Sequence, residues 1–263
     1  MIQQPLPARL LLRMLRYHVT SPYVMLWRTI EVAVMAGMAA RQGLDLTAHV
    51  DLDVGCGNGV LGHALIRDIG IGFDLEPAGV AWARHHKPAY RALLRASATS
   101  IPLRAGSQRF VFSNSVIEHI PDGEAALDEL ARVVKPGGTL LLSTVSEQFP
   151  ALVLGDPRPD PHTRAALHRS YAHHHYYSAT SLGEALAARG LRLLESAYYI
   201  NARQARWCHQ LRVWEQRQPR AGLKRRLNQL RRAPIGLALV LAMYPLYAPP
   251  AGGAGLAIIA HRF

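Results

Sequence analysis

The sequence is short of cysteine, of acid and of aromatic side chains, and each shortage narrows the field. Two cysteines, Cys56 and Cys208, in 263 residues cannot make a disulfide framework, so a reducing, cytoplasmic setting is expected. Acids number 18 against 30 lysines and arginines, a net charge of +12, which favours contact with anions. No internal repeat or low-complexity tract occurs, and no RNA-binding module or base-modifying motif, so a nucleic-acid partner is not expected. Met1–Ala40 is apolar, but Arg9, Arg13, Arg16, Arg28 and Glu31 deny it the charge-free core of a secretory signal. Residues 233–260 carry no charge at all, yet Pro234, Pro245, Pro249, Pro250 and glycines 252, 253 and 255 break the run. A single membrane-spanning helix is not expected there.

What is present is organised around Val50–Gly59, where the run Val50-Asp51-Leu52-Asp53-Val54 suits a buried strand and Gly55, Gly57 and Gly59 follow at alternate positions. The continuation, Val60–Arg67, reads as a helix. Strand, glycine turn and helix make a nucleotide cradle: glycine takes up dihedrals that side chains resist and lets a ligand lie against the backbone. Gly57, Gly59 and Gly62 also satisfy the G-x-G-x-x-G spacing of dinucleotide enzymes, so the cradle alone leaves a nicotinamide or flavin protein open.

The residues downstream decide between them. Ile69–Leu75 is a second apolar strand ending in Asp74, 15 residues beyond Gly59, which suits a carboxylate bonding both hydroxyls of a ribose. Ser97-Ala98-Thr99-Ser100-Ile101-Pro102-Leu103 follows a third strand. Phe110–Ile120 is a fourth strand with its exit loop. A helix over Ala125–Val134 and the turn Lys135-Pro136-Gly137-Gly138 lead into a fifth strand, Thr139–Val145. The series D-x-G-C-G-x-G, F-D-L, S-N-S-V-I-E-H-I and L-A-R-V-V-K-P-G-G-T-L resembles the class I S-adenosylmethionine (SAM)-dependent methyltransferases, in the branch that includes quinone and small-molecule methyltransferases. It covers roughly residues 45–147, in the family's order.

The resemblance implies an α/β Rossmann-like sheet, mostly parallel with an antiparallel last strand. SAM is the implied cofactor, with Gly55, Cys56, Gly57, Asn58 and Gly59 beneath its amino-acid part. Asp53 would approach the ammonium or serve as a structural acid, Asp74 and Leu75 would meet the ribose and adenine, and Ser97 and Ala98 stand where many relatives carry an acid for the adenine amino group. A serine hydroxyl accepts there more weakly. Asn114 falls near the methyl donor. Glu118 caps a turn and His119 fills a packed position or joins the substrate pocket.

The remainder frames this core. The divisions expected are an N-terminal helical cap over 1–44, the core over 45–200, an insertion over 201–254 and a final strand over 255–263. The cap holds two amphipathic helices, over residues 6–18 and from Ser21-Pro22 onward. Asp156–Pro161 reads as a loop and Leu191–Ile200 as a sixth strand. Between them Tyr171–Ser178 matches a family segment that closes over substrate; His174, His175 and Tyr176 are its catalytic candidates, an imidazole serving as general base, with Tyr176 and Tyr177 equally suited to pocket walls. No metal is expected, since neighbouring histidines point apart and no nearby Cys or spaced acid completes a set. The insertion concentrates charge: residues 201–232 hold ten basic side chains against Glu215, +9 of the +12. Beside the apolar stretch 235–247 this points to a peripheral contact with an anionic membrane face. The function expected is methyl transfer to an oxygen or carbon of a small, lipid-like acceptor, with a soluble methyltransferase of a polar natural product or sugar as the alternative.

Overall fold

The computed structural model describes residues 21–86, 89–217 and 252–263, with positions 234 and 238 as isolated helical residues. The expected helix over 6–18 and most of the 201–254 insertion, including 220–232 and all of 235–247 but position 238, lie outside the described residues.

Seven strands form one sheet: β1 (His49–Val54), β2 (Asp68–Asp74), β3 (Tyr90–Arg95), β4 (Gln108–Asn114), β5 (Val134–Val145), β6 (Leu191–Tyr199) and β7 (Gly255–Arg262). Their order is β3-β2-β1-β4-β5-β7-β6. Pairings from β3 to β5 are parallel, and β7 lies antiparallel between β5 and β6. This is the Rossmann-like class I methyltransferase sheet expected from the sequence. The order reverses between β1 and β4, so the crevice beyond their carboxyl ends is the site such a topology offers a ligand. The strands feeding that crevice are apolar along their length, with Leu52, Val54, Val111 and Leu140 to Leu142 fully buried, as a sheet covered on both faces requires.

Helix α1 (Pro22–Arg41) opens at Ser21, whose hydroxyl accepts from the Val24 N–H, with Pro22 in the first turn. Its length and apolarity would suit a membrane span, but 67% of the segment is buried in the fold. The amphipathic expectation is corrected here. Met25, Leu26, Ile30, Val32, Val34, Met35 and Met38 are all fully buried, because the helix lies against β5, β6, β7 and the late helix α8 (Ala202–Gln216). A helix enclosed on nearly all sides has no polar face to offer.

Helices α2 (Val60–Leu65), α3 (Pro77–His86) and α4 (Gly123–Val133) connect the parallel strands, and α5 (Phe149–Leu154), α6 (Pro161–Tyr171) and α7 (Ala179–Ala187) follow β5. The proline-rich loop ends sooner than expected: Asp160 accepts from the His162 and Thr163 N–H groups and Pro161 occupies the first turn, so α6 starts there. α8 begins at Asn201 in a reciprocal cap with Gln204. It buries Ala205, Cys208 and Leu211, so the start of the insertion packs on the core.

Candidate active site

The cradle follows directly from β1. Gly55, Gly57 and Gly59 have φ of +70°, +55° and +67°, the left-handed region where a side chain is strained. A Cβ on Gly55 would also stand 2.4 Å from a Val116 methyl. Asp74, at the end of β2, accepts from the Gly57 N–H at 2.7 Å and from the Glu76 N–H at 2.9 Å. The carboxylate is thereby aimed while keeping lone pairs for a ligand.

Beside it opens a cavity of about 520 Å³ lined by Gly55, Asp74, Leu75, Ser97, Ala98 and Val116 among others, within the range of small-molecule sites. A carboxylate at one end and Phe73, Leu75, Ala98 and Ile120 along the walls fit a nucleoside, with ribose at the acid and base among the apolar groups. Ser97 lies on this wall with its hydroxyl engaged by Thr99, through the side chain at 2.8 Å and the backbone N–H at 3.2 Å.

Several expected residues take other positions. Asp53 is 4% exposed and accepts from the Tyr90 hydroxyl at 2.6 Å, with Gly62 so close that a Cβ there would meet both groups. Asp53 therefore braces the cradle from behind, the structural alternative, and burial raises its carboxyl to about 7 despite the tyrosine. Cys56, Asn58 and Asn114 do not line the cavity. The Asn114 amide nitrogen donates to Ser143 Oγ and its oxygen accepts from Arg28 at 3.3 Å.

Asn114 thus belongs to a buried network centred on Glu31 of α1. One Glu31 oxygen accepts from the hydroxyls of Ser115, Ser143 and Tyr199 at 2.8, 2.9 and 2.6 Å, and the other from Arg28 at 2.5 Å. Burial alone would raise this carboxyl; Arg28 and Tyr199 hold it below its ordinary value. A buried charge is tolerated only when paired and hydrogen-bonded in this way. The network clamps α1 over the ends of β4, β5 and β6, and it holds Ser115 at φ +53°, uncommon for a residue with a side chain. Strain of this kind gathers at functional sites.

A second cavity, about 160 Å³, lies beneath α1. Its walls are Tyr23, Trp27, Phe149 and Tyr171, and Arg28, Glu118, His119, His173 and Arg212 add polarity. Ser115 and His119 line both cavities, so the two adjoin at the turn after β4. His119 Nδ1 bonds the Ala172 carbonyl at 2.9 Å. A carbonyl only accepts, so Nδ1 carries the proton and Nε2 keeps a free lone pair. Burial raises Glu118 to about 7; burial, then the neighbouring His119 and Arg212, lowers His173 to about 3.

Within the 171–178 segment the structure shifts attention by one position. His174 is exposed, His175 donates from Nε2 to the Pro121 carbonyl at 2.8 Å, and Tyr176 stacks on Phe149 and meets the His168 ring edge. None of the three lines either cavity, whereas His173 lines the smaller one. The chain turns at Ala172, φ +54°, which sends His173 inward and His174 out. Sequence reasoning missed Ser115, Arg28, Glu31 and His173 as a set, since their meeting depends on α1 crossing the sheet. The only sequence signal was that Glu31 and Arg28 interrupt an apolar helix.

Residues 52–142 match the family described as methyltransferase domain. Among curated proteins, the chain is 35% identical over 102 residues to malonyl-[acyl-carrier protein] O-methyltransferase of Hahella chejuensis, covering 37% of each chain. It is 31% identical over 156 residues to an O-methyltransferase of Pyrenophora dematioidea, covering 55% of this chain and 54% of that one. The chain thus matches about half or less of these relatives' length. Among solved structures it is similar in fold to a SAM-dependent methyltransferase from Mesorhizobium loti, with 17% identity and a TM-score of 0.54 over 87% of this chain and 98% of that one. Residues 52–142 are thus similar to a methyltransferase domain, carried on a sheet of the class I methyltransferase fold.

Proposed function

We propose that the whole chain is an O-methyltransferase whose donor occupies the larger cavity and whose acceptor presents a hydroxyl in the smaller. The observation that carries this is the shared wall: Ser115 and His119 belong to both cavities, which is what a direct transfer between two bound molecules demands. The O-methyltransferase relatives support oxygen over carbon.

When bound, SAM supplies a methyl group already activated by its sulfonium. The chain's own residues then hold and exclude. Asp74 grips the ribose, the glycines allow close backbone approach, and Leu75, Ala98 and Ile120 flank the base. Trp27, Phe149 and Tyr171, whose rings meet edge to face at 6.0 and 5.1 Å, wall the acceptor side against water. Glu118, His119 and His173 form its polar end and receive the hydroxyl.

An apolar, membrane-associated acceptor is the finer reading. It is supported by the aromatic walls and by α8, where Arg203, Trp207, Gln210, Trp214 and Arg217 recur at helical spacing on exposed positions. Tryptophan and arginine together suit a lipid interface. The experiment is mass spectrometry of lipid and polar extracts after incubation with isotopically labelled SAM. Label in the methyl ether of an apolar hydroxyl compound is expected; label only in protein, RNA or water-soluble metabolites retires the lipid acceptor. Flotation with anionic and neutral vesicles tests the surface: binding to anionic vesicles that weakens with salt is expected, and failure to float in any condition contradicts it.

A further inference from the structure

We propose that Glu118, His119 and His173 form a divalent-cation site of the zinc or manganese class at the polar end of the smaller cavity. The inference deepens the reading above, whose acceptor hydroxyl would take an open coordination position.

One potential ligand atom from each residue lies within 4.8 Å of the other two. Two imidazoles and one carboxylate are a common set for catalytic zinc and for related transition metals, and they leave positions open. Magnesium and calcium prefer oxygen-rich sets, so the two nitrogens argue against them. Ligand bonds of about 2.0–2.2 Å require the three atoms to draw together by roughly 1 Å. His119 is exposed and its ring lies 5.1 Å from that of His173.

The surroundings already have the form of a metal site's outer layer. Metal-bound histidines usually donate their second N–H to a carbonyl or carboxylate, and bound carboxylates are themselves hydrogen-bonded. His119 donates from Nδ1 to Ala172, leaving Nε2 for a cation. Glu118 accepts from the Thr144 hydroxyl at 3.1 Å through one oxygen, and a second remains. His173 is 8% exposed and its Nδ1, fully buried, has no hydrogen-bond partner among the described residues. An orphaned buried nitrogen is costly unless something occupies it.

Two arginines also face the cavity. Arg28 is neutralised by Glu31, and Arg212 lies over the Tyr171 ring at 3.8 Å. Arg212 with the cation would favour an acceptor oxygen able to lose its proton to solvent. Cation binding lowers the pKa of a bound hydroxyl, so no separate general base is needed. The sequence offered no route to this set, because Glu118 and His173 are 55 positions apart.

The test is titration of the chelator-treated, full-length protein with Zn²⁺ by calorimetry and with Co²⁺ by visible absorption. One tight equivalent and a cobalt d–d band are expected. His173→Ala and His119→Ala, the latter at an exposed position, should each weaken Zn²⁺ by at least tenfold and abolish the cobalt band. Thr144→Val should weaken Zn²⁺ by about tenfold, and His174→Ala should change nothing. Absence of a cobalt band, or equal Zn²⁺ affinity in wild type, His173→Ala and His119→Ala, overturns the site and leaves the three side chains acting directly on the acceptor. S-adenosylhomocysteine binding, measured on the same samples, separates the two proposals: its loss with cation binding intact would fault the methyltransferase reading, and its retention without cation binding would fault only the cation site.

Discussion

The two halves of the proposed site are built in opposite ways. The donor half is local: Gly55, Gly57 and Gly59 come from the turn after β1 and Asp74 from the end of adjacent β2, and Gly57 and Asp74 bond each other directly. The acceptor half draws on Trp27 and Arg28 from α1, His119 after β4, Phe149 and His173 beyond β5, and Arg212 on α8. The match to the methyltransferase domain follows the same division. It spans residues 52–142 and therefore all of the cradle, but on the acceptor side only the turn after β4. A SAM site needs a few residues at fixed offsets around one strand–turn–helix unit, whereas an acceptor pocket needs only some walls from somewhere.

The comparison breaks most easily at Glu31. Replacing it with alanine leaves half-buried Arg28 without its carboxylate and three hydroxyls without their acceptor, so a loss of about 3 kcal/mol in chemical denaturation is expected. At temperatures where the variant stays folded, S-adenosylhomocysteine affinity should fall far less than stability, because Ser115 is the one member of the network that lines the larger cavity. Equal damage to both would show that the halves are not separable.

Asp74→Ala attacks the other half. Each charge-assisted hydrogen bond lost is worth about 1.5–3 kcal/mol, so cofactor affinity should drop at least about tenfold in calorimetry. Unchanged affinity, or a wild-type preference for NAD over SAM, would undo the donor assignment. Tyr90→Phe is a milder probe of the same half. It strips buried Asp53 of its donor at 2.6 Å, and a stability loss of about 1–3 kcal/mol is expected for the unsatisfied group, with no direct contact to the cofactor removed.

The smallest effect concerns pH. Burial raises both Glu118 and Asp53 to about 7, above the ordinary 4.5 and 3.8, so between those values the folded protein holds protons that the unfolded chain has released. Stability contributed by these groups therefore falls as pH rises toward 7, from 3.8 for Asp53 and from 4.5 for Glu118. Glu31 has the opposite sign: its lowered value stabilises above pH 4.5 and is lost on acidification. In Glu118→Gln the decline toward neutral pH, followed in metal-free buffer by denaturation at several pH values, should become shallower by one group. An unaltered slope would mean that Glu118 is already ionised in the fold.

This asymmetry also explains what could be read beforehand. The strands, the cradle and Asp74 were legible because periodicity and glycine spacing encode them within about thirty residues. The cap at Ser21 was legible from Ser21 and Pro22 themselves, and the final strand Gly255–Arg262 through the family resemblance. The burial of α1 was not, since an apolar helix shows its tertiary neighbours only as a lack of polar positions. Nor was the start of α6 at Pro161, where prolines looked like loop until Asp160 was seen capping a helix. The choice of His174 and His175 over His173 failed to anticipate the left-handed turn at Ala172, which decides which imidazole faces the cavity.

The central claim is that one continuous site joins a donor half held by Asp74 to an acceptor half that begins at His119. The most direct measurement is the rate of labelled methyl transfer from SAM into cell extract by wild type, Asp74→Ala and His119→Ala, with S-adenosylhomocysteine affinity measured for each. The account predicts that both variants lose transfer while only Asp74→Ala loses affinity. Transfer at the wild-type rate by His119→Ala, or no transfer by the wild type into any fraction, would contradict it.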